Sequence, residues 1–460
     1  MSVSPPGARH RTVSVSSLPR RRERGLLVAG AAEVATLAGG LRRGPAQDEP
    51  AIAPPGTAVA CLDGQIVAVT PEPEAREALA ERLRASGRSP DAVDRLDAAG
   101  GTVTPGLIDP HTHLVFAGSR EAEFRLRQRG AGYLEILAAG GGILATVAAT
   151  RAASTDALLA HGRRWLVEML GHGTTTVEAK SGYGLDTATE LRLLDVAARL
   201  GAEGPVDIVP TFLGAHAVPA EIRAGHRDPA TATEAYVAAV IGEQLPAVAA
   251  QGIARSCDVF CERGVFGADQ ARRILLAARA LGLDLRLHAD ELAPSGGAEL
   301  AAELGALSAD HLGAPSEEGI AALAAAADEG RPVVATLLPT VPWFLMLDAR
   351  EPARRLVAAG IPVGLGTDFN PGTSPTPSLP LVMAVAALEL RLSPAEALAA
   401  VTVNAAAALD LADRGALVPG LRADLVAWRV QSIAQVPYWA GADLVRAVVA
   451  AGRVVLDRGA

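Results

Sequence analysis

Eight short apolar runs, each followed by a segment of helical spacing, succeed one another from about residue 105, and this alternation restricts the fold more than any other feature. The runs are GLIDPHTH, GTTTVEAKSGYG, VDIVPTFLGAH, SCDVFCERGVF, LDLRLHADE, GALSADHL, PVVATLLP and IPVGLGTDFNPG. Between them lie stretches such as DTATELRLLDVAARLG and ADQARRILLAARALG, apolar at helical intervals and ending in Gly. Eight β-then-α units predict an α/β fold, a parallel (β/α)8 TIM-type barrel somewhat above the usual size of about 250 residues. An open doubly wound sheet would alternate in the same way, but no Gly-rich phosphate loop opens a helix here.

The 460 residues exceed one ordinary domain and suit a barrel with a smaller companion. Strand-like pieces separated by DG, PG and AG turns flank the repeat: GTAVACLDGQIVAV and GGTVTP before it, GALVPGLRADLVAWRV and VRAVVAAGRVVLDRG after it. Both chain ends are therefore expected in one small β-sandwich. The boundaries read as a disordered basic tail at 1–25, sandwich at 26–104, barrel at 105–400, and a C-terminal helix with the rest of the sandwich at 401–460. The tail places RRR before an apolar stretch, as an export signal does, but Glu33 interrupts that stretch and no small-residue cleavage site follows. Residues 119–150 form a long insertion after the first strand. Gly140, Gly141 and Gly142 mark a mobile or tightly turning segment there, near the barrel mouth.

Five of the nine histidines, His111, His113, His216, His288 and His311, fall at the C-terminal ends of predicted strands, the face on which (β/α)8 barrels do their chemistry. Residues i and i+2 of a strand share a side, so His111 and His113 project into the mouth together. His288 ends the fifth strand and Asp368 the eighth. Three imidazole nitrogens and one carboxylate suit one Zn²⁺ or Fe²⁺/Fe³⁺ per chain with a position left open for water, and such an ion makes hydroxide available at neutral pH. Glu291 is a candidate to move the proton of that water to a leaving nitrogen. His311 is a candidate to donate to a developing oxyanion; the alternative is a buried histidine satisfied by Asp310.

The segments TPGLIDPHTHLVFAGSREAEF, GTTTVEAKSGYG, TFLGAHAVP, DVFCERGVF, LHADE, SADHL and LGTDFNPGT together resemble the imidazolonepropionase family of the amidohydrolase superfamily, from about residue 26 to the C-terminus. The paired His, the later His and the Asp are superfamily-wide. Arg120 after HLVFAGS, the SGYG loop, LGAHAVP and DFNPGT separate this family from cytosine deaminases, guanine deaminases and dihydroorotases. The resemblance implies hydrolysis of 4-imidazolone-5-propanoate to N-formimidoyl-L-glutamate in histidine degradation. Metal-bound hydroxide would attack the ring carbonyl and the ring C–N bond would break. It puts His111, His113, His288 and Asp368 at metal-ligand positions. Arg120, Tyr183, His216, Glu291, Asn370, Gly372 and Thr373 fall at substrate-binding positions. An Arg fork at residue 120 fits a propanoate carboxylate, and Asn370 with the Gly372–Thr373 backbone fits the new α-carboxylate.

A net charge of −9 argues against nucleic acid or an anionic membrane as partner, so an anionic small-molecule substrate needs a local cationic pocket. A homodimer is the assembly to test. Cys61, Cys257 and Cys261 form no evident disulfide framework and suit a reducing cytoplasm; Cys257 and Cys261 read as buried small side chains rather than metal ligands. Of 42 basic residues, 41 are Arg and one is Lys180. Many binuclear relatives carry a carboxylated lysine at the end of the fourth strand, whereas Lys180 ends the second and the fourth ends in FCERGVF without a lysine, so one metal is expected. Lys180 and Glu178 share a strand face, which predicts an ion pair at the barrel rim steadying the Tyr183 loop. The competing readings are an aminohydrolase acting on a heterocycle and a non-catalytic barrel; the latter would have lost motif residues that are all present here.

Overall fold

The computed structural model describes residues 24–130 and 141–459. Eight parallel strands form one sheet in sequence order: β1 (Leu107–Asp109), β2 (Thr174–Lys180), β3 (Asp207–Ala215), β4 (Ser256–Cys261), β5 (Asp284–Ala289), β6 (Ser308–His311), β7 (Val334–Leu337) and β8 (Val363–Leu365). Each lies within one of the eight apolar runs. The ring closes just past the ends of β8 and β1. There the Asp368 amide donates to the His111 carbonyl at 3.0 Å, and the His113 amide donates to the Phe369 carbonyl at 2.9 Å.

The strands alternate in a way that explains their composition. On β5, Leu285, Leu287 and Ala289 pack outward under helices, whereas Arg286 and His288 face the axis. The helices supply the matching cover. Helix Ala268–Ala280 buries Ala271, Ile274, Leu275 and Ala278, one face at helical spacing. Side-chain caps fix where helices begin: Asp186 accepts from the Thr189 amide ahead of Thr187–Glu203, and Ser316 from the Gly319 amide ahead of Glu317–Asp328.

Both chain ends build the companion unit, as two sheets. Gly25–Ala29, Thr57–Leu62, Gln65–Pro71 and Val93–Asp97 form one, and Glu33–Val34, Thr102–Pro105, Leu425–Trp428, Val445–Ala450 and Arg453–Asp457 the other. Leu26, Val28, Val59, Leu425, Ala447 and Val449 share the core between them. Helix Glu72–Ala85, which the sequence reading did not mark, covers the outer face of the first sheet through Leu79 and Leu83 against Leu27 and Ala29. Of the basic tail expected at 1–25, residues 1–23 lie outside the described residues; Gly25 opens the first strand and Arg24 pairs with Asp94. Gly140 of the glycine triplet also lies outside them, while helices Glu121–Gln128 and Ile143–Ala152 frame the insertion. No single helix among the described residues is long and apolar enough to cross a membrane.

Candidate metal centre and active site

The β1 strand ends at Asp109, and its continuation carries His111 and His113 into the C-terminal mouth. There they meet His288 from β5 and Asp368 from the segment after β8. The Asp368 Oδ1 atom lies 3.5 Å from His111 Nε2 and 3.3 Å from His113 Nε2, and His288 Nε2 lies 3.5 Å from His113 Nε2. All four side chains are buried. Three overlapping groups, His111–His288–His311, His113–His216–His288 and His111–His113–Asp368, bring one ligand atom each to within 4.8 Å of one another. The structure thus brings the four expected ligands together and sets His216 and His311 beside them.

Two outer contacts decide which nitrogens face inward. His111 Nδ1 lies 2.7 Å from Asp310 Oδ2 and His288 Nδ1 lies 3.0 Å from Asp258 Oδ2. A carboxylate on Nδ1 keeps the proton there and leaves the Nε2 lone pair for a cation. His111 Nε2 and Asp368 Oδ1 are buried with no hydrogen-bond partner, which is the condition of atoms shaped to coordinate an ion. Glu178, Asp258, Asp310 and Asp368 are buried carboxylates beside two buried cations, Lys180 and Arg286, an acidic setting that suits a cation. Burial alone raises the Asp368 carboxyl above its ordinary value. Burial also drives His111 and His113 well below the usual histidine range, which keeps their rings neutral; His288 is the exception, because Asp258 overcomes burial and raises it. The donor set fits a divalent metal.

Around this centre stand the other predicted residues. Glu291 Oε2 lies 3.8 Å from His311 Nε2. Burial first and Asp368 second push the Glu291 carboxyl up to about 8, so it is not the solvated loop group that a residue after a strand could have been. Burial and His288 push His311 down to about 3. Asp310 is committed to His111, Arg286 and Lys180, and His311 Nε2 has no hydrogen-bond partner. The bland alternative for His311 therefore fails. A cleft opens onto Glu291 and His311, lined also by Val341, Leu345 and Glu351.

His216 stacks on His113, with centroids 4.9 Å apart and planes 15° apart, and its Nδ1 lies 2.9 Å from the Gly182 carbonyl. Gly182 has φ +93°, and a Cβ there would sit 2.9 Å from that Nδ1, so the SGYG loop needs glycine at this point. Tyr183 is buried beside the stacked His113 and His216, each ring centroid 5.5 Å away. Arg120 forks Glu123, at 2.9 Å and 2.8 Å, and packs so closely on Gly372 that a Cβ there would lie 1.9 Å from Nη1. Asn370 differs from expectation in its contacts. Its Oδ1 accepts from the Gly372 and Thr373 amides at 2.8 Å each, and its Nδ2 donates to Asp368 Oδ2 at 3.0 Å. The amides expected to meet a carboxylate are thus engaged inside the turn that orients Asp368.

Lys180 requires a correction. The expected pair with Glu178 exists, at 2.8 Å, but not at the rim: the ammonium is sealed in the barrel, also 2.8 Å from Asp258 Oδ2 and 3.6 Å from Asp310 Oδ2. Asp258 and Arg286 were missed altogether, and Asp310, weighed only as an alternative partner of His311, holds His111 instead. The available signal was a charged residue inside an otherwise apolar buried strand, two positions before a candidate ligand, as Arg286 stands before His288. Cys257 and Cys261 are buried free thiols.

Residues 120–456 match the amidohydrolase family. An imidazolonepropionase from Geobacillus kaustophilus is 52% identical over 398 residues, 86% of this chain and 89% of the relative. One from Symbiobacterium thermophilum is 47% identical over 436 residues, 94% and 98%. The chain belongs to the imidazolonepropionase family of amidohydrolases. The fold is shared more widely. An adenosine deaminase from Xanthomonas campestris with bound zinc has a TM-score of 0.63 at 20% identity, covering 94% of this chain and 93% of that one. An atrazine chlorohydrolase from Arthrobacter aurescens complexed with zinc has 0.62 at 20%, covering 94% and 95%.

Proposed function

We propose that the chain hydrolyses 4-imidazolone-5-propanoate to N-formimidoyl-L-glutamate, with His111, His113, His288 and Asp368 holding one divalent ion. The observation that carries this reading is the convergence of His111 Nε2, His113 Nε2 and Asp368 Oδ1 within 3.5 Å contacts, in a chain 52% identical to an imidazolonepropionase. When bound, the ion supplies a Lewis acid and an acidified water; the donor set suits zinc or iron.

The chain's own groups do the rest. Glu291, buried yet at the mouth, takes a proton from the attacking water and returns it to the ring nitrogen that leaves. Neutral His311 hydrogen-bonds the oxygen on which charge develops. Arg120, with Tyr183 beside it, recognises the propanoate carboxylate as a planar fork, exchanging part of its pairing with Glu123 for the substrate. His216 and Tyr183 wall the ring against His113. Asn370 acts through Asp368 and the Gly372–Thr373 turn. Water adds across one ring C–N bond and nothing is released, which separates this reaction from deamination, where free ammonia appears.

Free buried thiols at Cys61, Cys257 and Cys261 support a reducing, cytoplasmic setting. A homodimer is supported by the exposed Leu388, Tyr438 and Trp439 on the adjacent helices Leu379–Glu389 and Gln435–Tyr438 and just after the latter. Sedimentation tests it: a dimer in the wild type and a monomer after Tyr438→Asp is the expected pair of results. Metal analysis should find one ion per chain, and replacing His288 or Asp368 by Ala should abolish turnover. Turnover that persists in either variant removes that residue as a ligand.

A further inference from the structure

The only lysine in the chain lies on the Nδ1 side of the His111 and His288 rings, behind the carboxylates that hold them, and away from their Nε2 atoms. Its ammonium is enclosed by Glu178 Oε1 at 2.8 Å, Asp258 Oδ2 at 2.8 Å and Asp310 Oδ2 at 3.6 Å. Two of those oxygens are the same atoms that hold His288 Nδ1 at 3.0 Å and His111 Nδ1 at 2.7 Å. One cation therefore sits between the two carboxylates that orient two ligands contributed by different strands. Arg286 completes the layer. It reaches Asp310 Oδ2 at 3.1 Å and the Pro110 carbonyl at 2.7 Å, with a further bond to the Ala408 carbonyl. Its planar fork ties the layer to the backbone below, whereas the compact ammonium of Lys180 is the group that fits among three carboxylate oxygens. This accounts for a lone lysine in a chain that otherwise uses arginine.

We infer that Lys180 is a positioning residue for the metal centre: its ammonium fixes Asp258 and Asp310 so that His288 and His111 present Nε2 together, and the ligand set is formed before an ion arrives. The inference rests on the metal centre proposed above. Outer partners of metal ligands change affinity by about 10- to 100-fold when they are lost, and Lys180 acts on two such partners at once.

Two measurements test it on the intact chain. Selective ¹⁵N-lysine labelling yields a single side-chain resonance, because there is one lysine. In the metal-free protein that ammonium should be protected from exchange, and its resonance should move when zinc is added in stoichiometric amount. A signal that exchanges freely, or that stays fixed while zinc binds, overturns the inference even if no variant folds. The second arm compares zinc affinity, by chelator competition, in the wild type and in Lys180→Met, which is one heavy atom shorter, fills most of the same space and removes the charge. A loss of about tenfold or more is expected. An unchanged or higher affinity overturns the positioning role, even if Lys180→Met also unfolds at lower temperature, as a purely structural lysine would allow. Failure of the wild type to bind zinc or iron at all would instead refute the metal centre itself.

Discussion

As the proposed proton acceptor, Glu291 must be ionised, and its surroundings resist ionisation: burial and Asp368 hold its carboxyl at about 8 in the metal-free chain, against an ordinary value of 4.5. A cation bound beside Asp368 acts in the opposite sense. The acid limb of the kcat profile should therefore fall between these two values, with activity rising as pH rises through it. Glu291→Gln should remove that limb and lower kcat by about 10²- to 10⁴-fold, while zinc remains bound. A variant that keeps both the limb and the rate would assign the proton to another group. For Arg120, replacement by Met should raise KM by about 10- to 150-fold, since a desolvated charge-assisted contact is worth roughly 1.5–3 kcal/mol. An unchanged KM would exclude the fork as the carboxylate contact.

At the scale of the element, single glycines set the reach of two loops. Gly182→Ala places a Cβ at φ +93° and 2.9 Å from His216 Nδ1, which should lower stability by about 1–3 kcal/mol and disturb the His216–His113 stack. Gly372→Ala meets Arg120 instead, so it should raise KM with little change in melting temperature. Equal effects of the two substitutions on melting temperature would contradict this division. The elements themselves were largely legible in the sequence, because a buried strand writes itself as a short apolar run and its helix as a 3.6-residue stripe. The candidate ligands stood out for a related reason: the barrel confines chemistry to strand ends, so His111, His113, His288 and Asp368 could be picked by position, and the fold brings them together. The layer behind them was not legible. That Glu178 and Lys180 share a face follows from strand parity. That Lys180 meets Asp258 of β4 and Asp310 of β6 depends on height along the barrel axis, which local sequence does not encode. The contact of Arg120 with Gly372 and the inward commitment of the Gly372 and Thr373 amides are likewise tertiary facts.

For the molecule as a whole, burying titratable groups links stability to pH. Burial pushes the Glu351 carboxyl up to about 7 from an ordinary 4.5, so the folded state holds that proton more tightly than the unfolded chain does. Its contribution is complete below the unfolded value and is lost as pH rises through about 7. Glu351→Gln should accordingly flatten the decline in melting temperature between pH 5 and pH 8; an undiminished decline would place the linkage elsewhere. Metal acts on the same global equilibrium. An ion that binds only the folded chain adds about 2.7 kcal/mol at a concentration 100 times its Kd, so stripping it should lower the melting temperature, and adding it back should restore both stability and turnover. The most direct measurement follows the ultraviolet absorbance of 4-imidazolone-5-propanoate while the metal-loaded chain acts on it, with the product identified by mass. Loss of absorbance, formation of N-formimidoyl-L-glutamate without free ammonia, and no reaction after chelation are expected. Intact substrate in the presence of metal-loaded protein, or ammonia with a deaminated product, would contradict the proposed hydrolysis.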